Sequence, residues 1–260
     1  MFGFLKRKPK PPPGPTPLPV PSPSALDWAA PSPSETVHVI GDIHGRADLF
    51  DALLDKLGTE ARTVLVGDYV DRGPDSAGAL RRARDLAPAP GGRHEALLGN
   101  HEVMLLEFID DPAGRGTRWL RFGGADTLRS FGVDPPADTS DLDALVEAGD
   151  ALSEALGPIE PWLRALPTLW RDGTLAVAHA GCTPGHALSD QPRKPLLWGG
   201  PGVMDEERDD GIWVAHGHVV VERAYAERGR IAVDTGAAYG RPLTAAIVEP
   251  GAPVRFEEAA

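Results

Sequence analysis

The chain has 260 residues, a formal net charge of −12, 42% apolar and 25% charged residues, and one cysteine. This describes an ordinary globular protein with room for one sizeable core. The charge excludes a general nucleic-acid-coating role, the lone Cys182 excludes an intrachain disulfide, and no apolar run approaches the ~20 residues of a membrane span.

Residues 1–35 hold 11 of the 27 prolines, most of them in "KPKPPPGPTPLPVPSPS". Such a composition favours extended, solvated backbone and reads as a disordered tail. Its tip, "MFGFLKRK", joins apolar and cationic residues and suits weak contact with an anionic membrane. Lys6, Arg7, Lys8 and Lys10 lie in this tail with no acid before Asp27, which leaves residues 11–260 at −16. No signal-peptide core follows the basic residues, and with the single thiol this points to a reducing, cytoplasmic setting. Residues 251–260 read as a short C-terminal tail.

The body, residues 36–250, opens with a repeated unit. "TVHVI" (36–40) reads as a buried strand and "GDIHG" as the loop after it. The next helix has Leu49, Phe50, Leu53, Leu54 and Leu57 on one face and Gly58 as its stop. The unit recurs as "TVLV" (63–66), the loop "GDYVDRGP" and a helix capped by Asp75 that ends near Pro88. It recurs again as "HEALL" (94–98), "GNHE" and a helix marked by Val103, Leu106 and Ile109, ending before Pro112. Three strand–loop–helix units predict an α/β core with parallel strands, and ligands gather at the carboxyl ends of such strands.

Residues 117–166 read as a helical insert that walls or lids the site. Its clearest helix carries Leu142, Leu145, Val146, Leu152 and Leu156 at helical spacing and ends at Gly157-Pro158. Past Pro167, "TLW", "TLAVAHAG", "IWVAHGHVVV", "RIAVDTG" and "LTAAIVE" read as short strands of a second sheet packed on the first. The expected fold class is α/β (α+β), a two-sheet β-sandwich core flanked by helices.

The residues suited to holding metals fall at the strand ends: Asp42, His44, Asp68, Asn100, His179, His216 and His218. A mixed oxygen and nitrogen set suits a hard or borderline divalent ion. The set is too large for one ion and sufficient for two, which in such centres lie roughly 3.5–4 Å apart and share a carboxylate. Asp68, in the middle loop, is the expected bridge.

"GDIHG", "GDYVDRG", "GNHE", "HAG" and "HGH" resemble, in order, the five signature segments of the phosphoprotein phosphatase family of the calcineurin-like metallophosphoesterases. "LLW" (196–198), "VDTGA" (233–237) and "GGADTLRSFG" (123–132) are similar to its bacterial serine/threonine phosphatase branch, and the resemblance covers residues 36–248. It implies a four-layer α/β/β/α fold and two divalent ions, most commonly manganese, with iron, zinc or nickel as alternatives. It implies that Asp42, His44 and Asp68 hold the first ion and that Asp68, Asn100, His179 and His218 hold the second. His216 then stands just outside the set. Such ions draw the pKa of a bound water toward ~7. His101 would be the general acid, Asp71 its partner, and Arg72, with Asn100 and His101, the grip on phosphate.

Two positions depart from the family pattern. Leu98 stands where a basic residue often precedes "GNHE", and Gly199-Gly200 follow "LLW" where an arginine is expected. Arg193, Lys194, Arg208 and Arg223 are the candidate substitutes. The expected substrate is a phosphorylated protein or a small phosphoester. Hydrolysis of diadenosine polyphosphates is the alternative enzyme reading, and a non-catalytic metal- or phosphate-binding module is the alternative outside enzymes. Asp71 in "GDYVDRG" favours the protein-phosphatase version.

Overall fold

The computed structural model describes residues 13–24, 27–58 and 60–260. The three leading apolar runs form strands β1 (Val37–Ile40), β2 (Arg62–Leu65) and β3 (Glu95–Ala96), paired in parallel. Helix α1 (Ala47–Leu57) buries Leu49, Phe50, Leu53 and Leu54 and stops where Gly58 takes φ 69°. Helix α2 (Ser76–Leu86) is capped as expected, with the Asp75 carboxylate accepting from Gly78 N at 2.7 Å. Helix α3 (Asn100–Asp110) begins at the third loop. Each polar loop therefore leaves the carboxyl end of a parallel strand.

The insert is helical. It comprises α4 (Pro112–Trp119), a π turn (Leu120–Gly124), α5 (Ala125–Ser130), α6 (Leu142–Leu156) and α7 (Ile159–Ala165). Leu145, Leu152, Leu156, Trp162 and Leu163 share one core with Leu105 and Phe108 of α3. The buried face of α6 is Leu145, Ala148, Gly149, Leu152 and Leu156. Leu142 and Val146, expected on it, are exposed. Gly149 and Gly116 let α6 and α4 approach closely, and this contact rather than leucine spacing sets the helix rotation.

Strands β4 (Leu169–Asp172), β5 (Leu175–Ala178), β6 (Trp213–His216), β7 (Tyr225–Glu227) and β8 (Arg230–Ala232) form the second sheet, ordered β4-β5-β6-β8-β7. Helix α8 (Arg193–Trp198) covers its outer face, where Leu196 packs with Ala176, Ala178 and Val214. Between the sheets lie Val37, Val39, Val64, Val66, Leu175, Val177 and Ile231, the alternate residues of their strands. Two sheets flanked by helices give the four expected layers.

Three expectations are corrected. "LTAAIVE" forms β9 (Leu243–Val248), which joins the first sheet, antiparallel to β1, because Ala246 and Val248 fill the inter-sheet core beside Val37 and Val39. The C-terminal residues are not a tail, since β10 (Arg255–Ala259) pairs antiparallel with β9 and extends the first sheet to the order β10-β9-β1-β2-β3. The proline-rich segment, where described, lies on the body. Leu18 bridges to Val221, and the Trp28 ring stands 5.5 Å from that of Trp213. Ala29 O accepts from Trp213 Nε1 at 2.8 Å. The few apolar residues between the prolines, Val20 and Trp28, supply the anchors. The basic tip lies outside the described residues. No helix among the described residues is long and apolar enough to cross a membrane.

Candidate metal centre and active site

The loops after β1, β2, β3, β5 and β6 converge and bury Asp42, His44, Asp68, Asp71, Asn100, His101 and His179, with His218 half-buried beside them. The turns are tight. His44, Asp68, Asp71, Arg72 and His218 take φ of 45°, 53°, 72°, 69° and 64°, and among the described residues Arg228 is the one other non-glycine at positive φ. Left-handed backbone is costly for such residues, and here it is concentrated at one place. Glycine permits the close approach: a Cβ on Gly217 would fall 1.9 Å from Asp42 Oδ1.

Asp68 is central. Its Oδ2 lies 3.5 Å from His44 Nε2 and 3.9 Å from His101 Nε2, and its Oδ1 lies 3.4 Å from His179 Nε2. Two groups of metal-competent donors result, His44–Asp68–His101 and Asp68–His179–His218, with Asp68 in both. Asp42 belongs to neither triple. Its carboxylate accepts from His218 N at 3.2 and 3.1 Å. Burial, then Asp234 and Asp68, pushes the Asp42 carboxyl well up.

The donor chemistry fits divalent cations. His44 Nδ1 donates to Val70 O at 2.7 Å and His179 Nδ1 to Val66 O at 3.2 Å, so each Nε2 keeps its lone pair toward Asp68. Arg72 Nη1 donates to His44 Nε2 at 2.6 Å, which places a positive group against that lone pair. Asn100 Oδ1 stands 2.8 Å from His179 Nε2 and 2.9 Å from His218 Nδ1. Acceptor lone pairs this close need a proton or a cation between them. Protonation is disfavoured, because burial lowers the pKa of His44 and His179 and brings His218 to about 4. Burial alone would raise Asp68, but His179, His101 and His44 outweigh it and hold the carboxyl well below its usual range. Neutral imidazoles around an ionised carboxylate are the protonation state that metal binding requires.

His101 Nδ1 donates to Asp71 Oδ2 at 2.6 Å, which leaves Nε2 facing the centre. Burial works against charge on this ring, yet Asp68 and Asp71 together raise its pKa. Asp71 is fully buried and also accepts from Trp119 Nε1 at 3.0 Å and Thr127 Oγ1 at 2.7 Å. Both donors come from the insert. Trp119 carries no local sequence signal, and Thr127, although it lies within "GGADTLRSFG", is not marked there as a partner of Asp71.

Glu102 is a second omission. Its carboxylate accepts from the backbone N–H of Asp68, Tyr69, Val70 and Gly99 at 2.8, 2.7, 3.2 and 3.0 Å, and so holds the "GDYVDRG" loop against α3. Its place at the third residue of α3, from which a glutamate can reach back to the N–H of the N-cap Gly99, was a usable signal. A third is Asp234, within "VDTGA", which accepts from Gly236 N at 3.0 Å and is brought to a pKa of about 6 chiefly by burial.

His216 is buried and lines a small cavity with Cys182, Arg208 and Arg230. Of the substitute cations, Arg208 pairs with Asp210 and donates to the carbonyls of Thr183 and His186. Arg193, Lys194 and Arg223 lie toward solvent. Arg72 lies over the Tyr239 ring at 5.6 Å. Arg241 lies close to Gly236, with its Nη1 buried and unpartnered.

The fold and this donor set define a metallophosphoesterase. The calcineurin-like phosphoesterase family model matches residues 35–222, and the chain belongs to that family. The symmetrical bis(5'-nucleosyl)-tetraphosphatases of Ralstonia nicotianae and Acidovorax sp. (strain JS42) are 35% and 36% identical over 153 and 155 residues, 59% and 57% of this chain. Those matches span 44% of each relative, so the chain matches under half the length of these tetraphosphatases. Serine/threonine-protein phosphatase 1 of Salmonella typhimurium is 31% identical over 227 residues, 82% of this chain and 92% of that protein. Among solved structures, one provisionally assigned as a diadenosine tetraphosphatase aligns over 90% of this chain and 99% of its own, with TM-score 0.59 at 20% identity. The cold-active protein-tyrosine phosphatase of a psychrophilic Shewanella species aligns over 87% of this chain and 80% of its own, with TM-score 0.52 at 18% identity. At those identities the structural matches speak to fold alone.

Proposed function

We propose that the protein is a metal-dependent hydrolase of phosphate esters or anhydrides, with symmetrical cleavage of dinucleoside tetraphosphates as the first substrate reading. The observation that carries the hydrolase reading is Asp68, whose two oxygens face separate imidazole groups. Asp68 would bridge two ions, Asp42 and His44 would complete one site, and Asn100, His179 and His218 the other. Manganese is the first ion to test. Bound ions of this kind supply a nucleophilic water at neutral pH and positive charge against the phosphate. The protein's own groups do the rest. Arg72 offers a planar fork to phosphate oxygens. His101 gives a proton from Nε2 to the leaving oxygen, and Asp71 fixes the ring that does so.

The tetraphosphatase relatives carry the substrate reading, so the comparisons weigh more toward the alternative than toward the phosphoprotein phosphatase favoured from the sequence. The phosphoprotein reading stands second on two observations. The Salmonella phosphatase matches across nearly its whole length. The buried Asp71–His101 pair also suits a poor alkoxide leaving group, which needs a proton more than a nucleoside diphosphate does. Incubation with Mn²⁺ and diadenosine tetraphosphate, then with phosphoserine and phosphotyrosine peptides, tests both. ADP as the sole nucleotide product supports the first reading, and orthophosphate from the peptides alone supports the second. No metal-dependent turnover on any of them returns the protein to a binding module.

A further inference from the structure

Phe122 is a large apolar ring left 47% exposed beside the catalytic imidazole. Its ring centre lies 6.4 Å from that of His101, at 84°. The backbone holds it there. Phe122 sits in the π turn Leu120–Gly124, which departs from helical geometry at Gly123 (φ 110°). Gly123 is pressed on Arg72, where a Cβ would fall 2.6 Å from Arg72 N and 2.9 Å from its Cγ. A single π turn joining two helices is a recurrent device for placing a functional side chain. The insert thus packs on Arg72 and, one position earlier, leaves a half-exposed aromatic ring beside the His101 imidazole.

The direction of the chemistry says what meets that face. His101 Nδ1 is tied to Asp71, so the leaving oxygen approaches Nε2. Whatever the leaving oxygen carries then enters the space beside Phe122. We propose that Phe122 is a specificity-determining platform on which a planar aromatic group of the leaving side packs, so that the centre prefers ring-bearing phosphoesters or anhydrides to ring-less ones. This inference rests on the hydrolase reading of the centre. An aryl ester, such as a tyrosyl phosphate, brings a ring bonded directly to the leaving oxygen. A nucleotide brings its base at the end of a ribosyl phosphate. Both offer the same π face to an edge-on or offset stack.

The test uses Mn²⁺-loaded protein and ligand pairs that differ by a ring: phenylphosphonate against methylphosphonate, and ADP against pyrophosphate. Titration calorimetry gives the affinity ratio in each pair. The wild type favours the ring-bearing member. Phe122→Ala and Phe122→Leu narrow that ratio about 2- to 10-fold, and Phe122→Trp keeps it. A ratio that moves in the first pair alone assigns the platform to aryl esters, and one that moves in the second alone assigns it to nucleobases. Equal ratios in wild type and Phe122→Ala, or a wild type with no ring preference in either pair, overturn the platform. Turnover of p-nitrophenyl phosphate by the same preparations separates the two readings. A wild type that keeps its ring preference but hydrolyses nothing overturns the hydrolase and leaves the platform standing.

Discussion

At the residue scale, the His101–Asp71 pair proposed as the proton donor is held by more than its two members. Trp119 stacks on Phe108 at 4.7 Å while its Nε1–H reaches Asp71. Trp119→Phe keeps an aromatic ring for that stack and removes one charge-assisted hydrogen bond, worth about 1.5–3 kcal/mol. The expected result is a kcat lowered about 10-fold or more on a seryl phosphate and much less on p-nitrophenyl phosphate, whose leaving group needs little protonation. Equal losses on both substrates would place Trp119 in the fold alone. Cys182 makes a different case. Burial pushes its thiol up to about 12. The fold favours the protonated thiol, so its contribution to stability is complete below the ordinary thiol range and is lost as pH climbs toward 12. Iodoacetamide at about pH 8, below the ordinary thiol range, is expected to label Cys182 only after denaturation, and Cys182→Ala is expected to flatten the alkaline fall in stability.

At the element scale, the strand–loop–helix repeat was legible because each signal is local. Apolar runs of four or five residues, glycine flanks and the Asp75 cap need only neighbours in the chain. Strand order is not local. "LTAAIVE" reads as a strand from its composition, but its pairing with β1 depends on which sheet its buried residues can fill. β10 was missed for a related reason. "RFEEA" is too polar to read as a core strand, yet Phe256 packs at the inter-sheet core and Lys56 Nζ donates to Glu258 O from α1. Ending the chain at residue 250 would leave β9 as an open edge. The expected cost is about 2–4 kcal/mol, read as a lower urea midpoint.

At the scale of the whole molecule, loops from both sheets meet around the Asp68 carboxylate, so the proposed metal centre would link metal occupancy to global stability. Ions that bind the folded chain alone stabilise it, by about 2.7 kcal/mol at a hundredfold excess over Kd. Adding Mn²⁺ is therefore expected to raise the melting temperature and chelation to reverse the gain. Asp68→Asn should melt without regard to metal. A wild type whose melting ignores every divalent ion tested would contradict the proposed centre. The same convergence explains the insert. It shares a core with α3, and its rigid seat lets it reach into the site with Trp119, Phe122 and Thr127.

The sequence by itself determined the calcineurin-like phosphoesterase family, though not the branch within it, the α/β repeat and the residue types able to hold metal, because each is written in short contiguous segments. Tertiary structure alone decided which oxygen of Asp68 faces which imidazole, that Glu102 pins the Asp68 loop, and that the insert completes the Asp71 site. Those depend on atoms brought together from well-separated positions, such as Asp71 and Thr127, 56 residues apart. The physical reason is that buried polar groups must find partners in space, and spacing along the chain does not record where those partners stand.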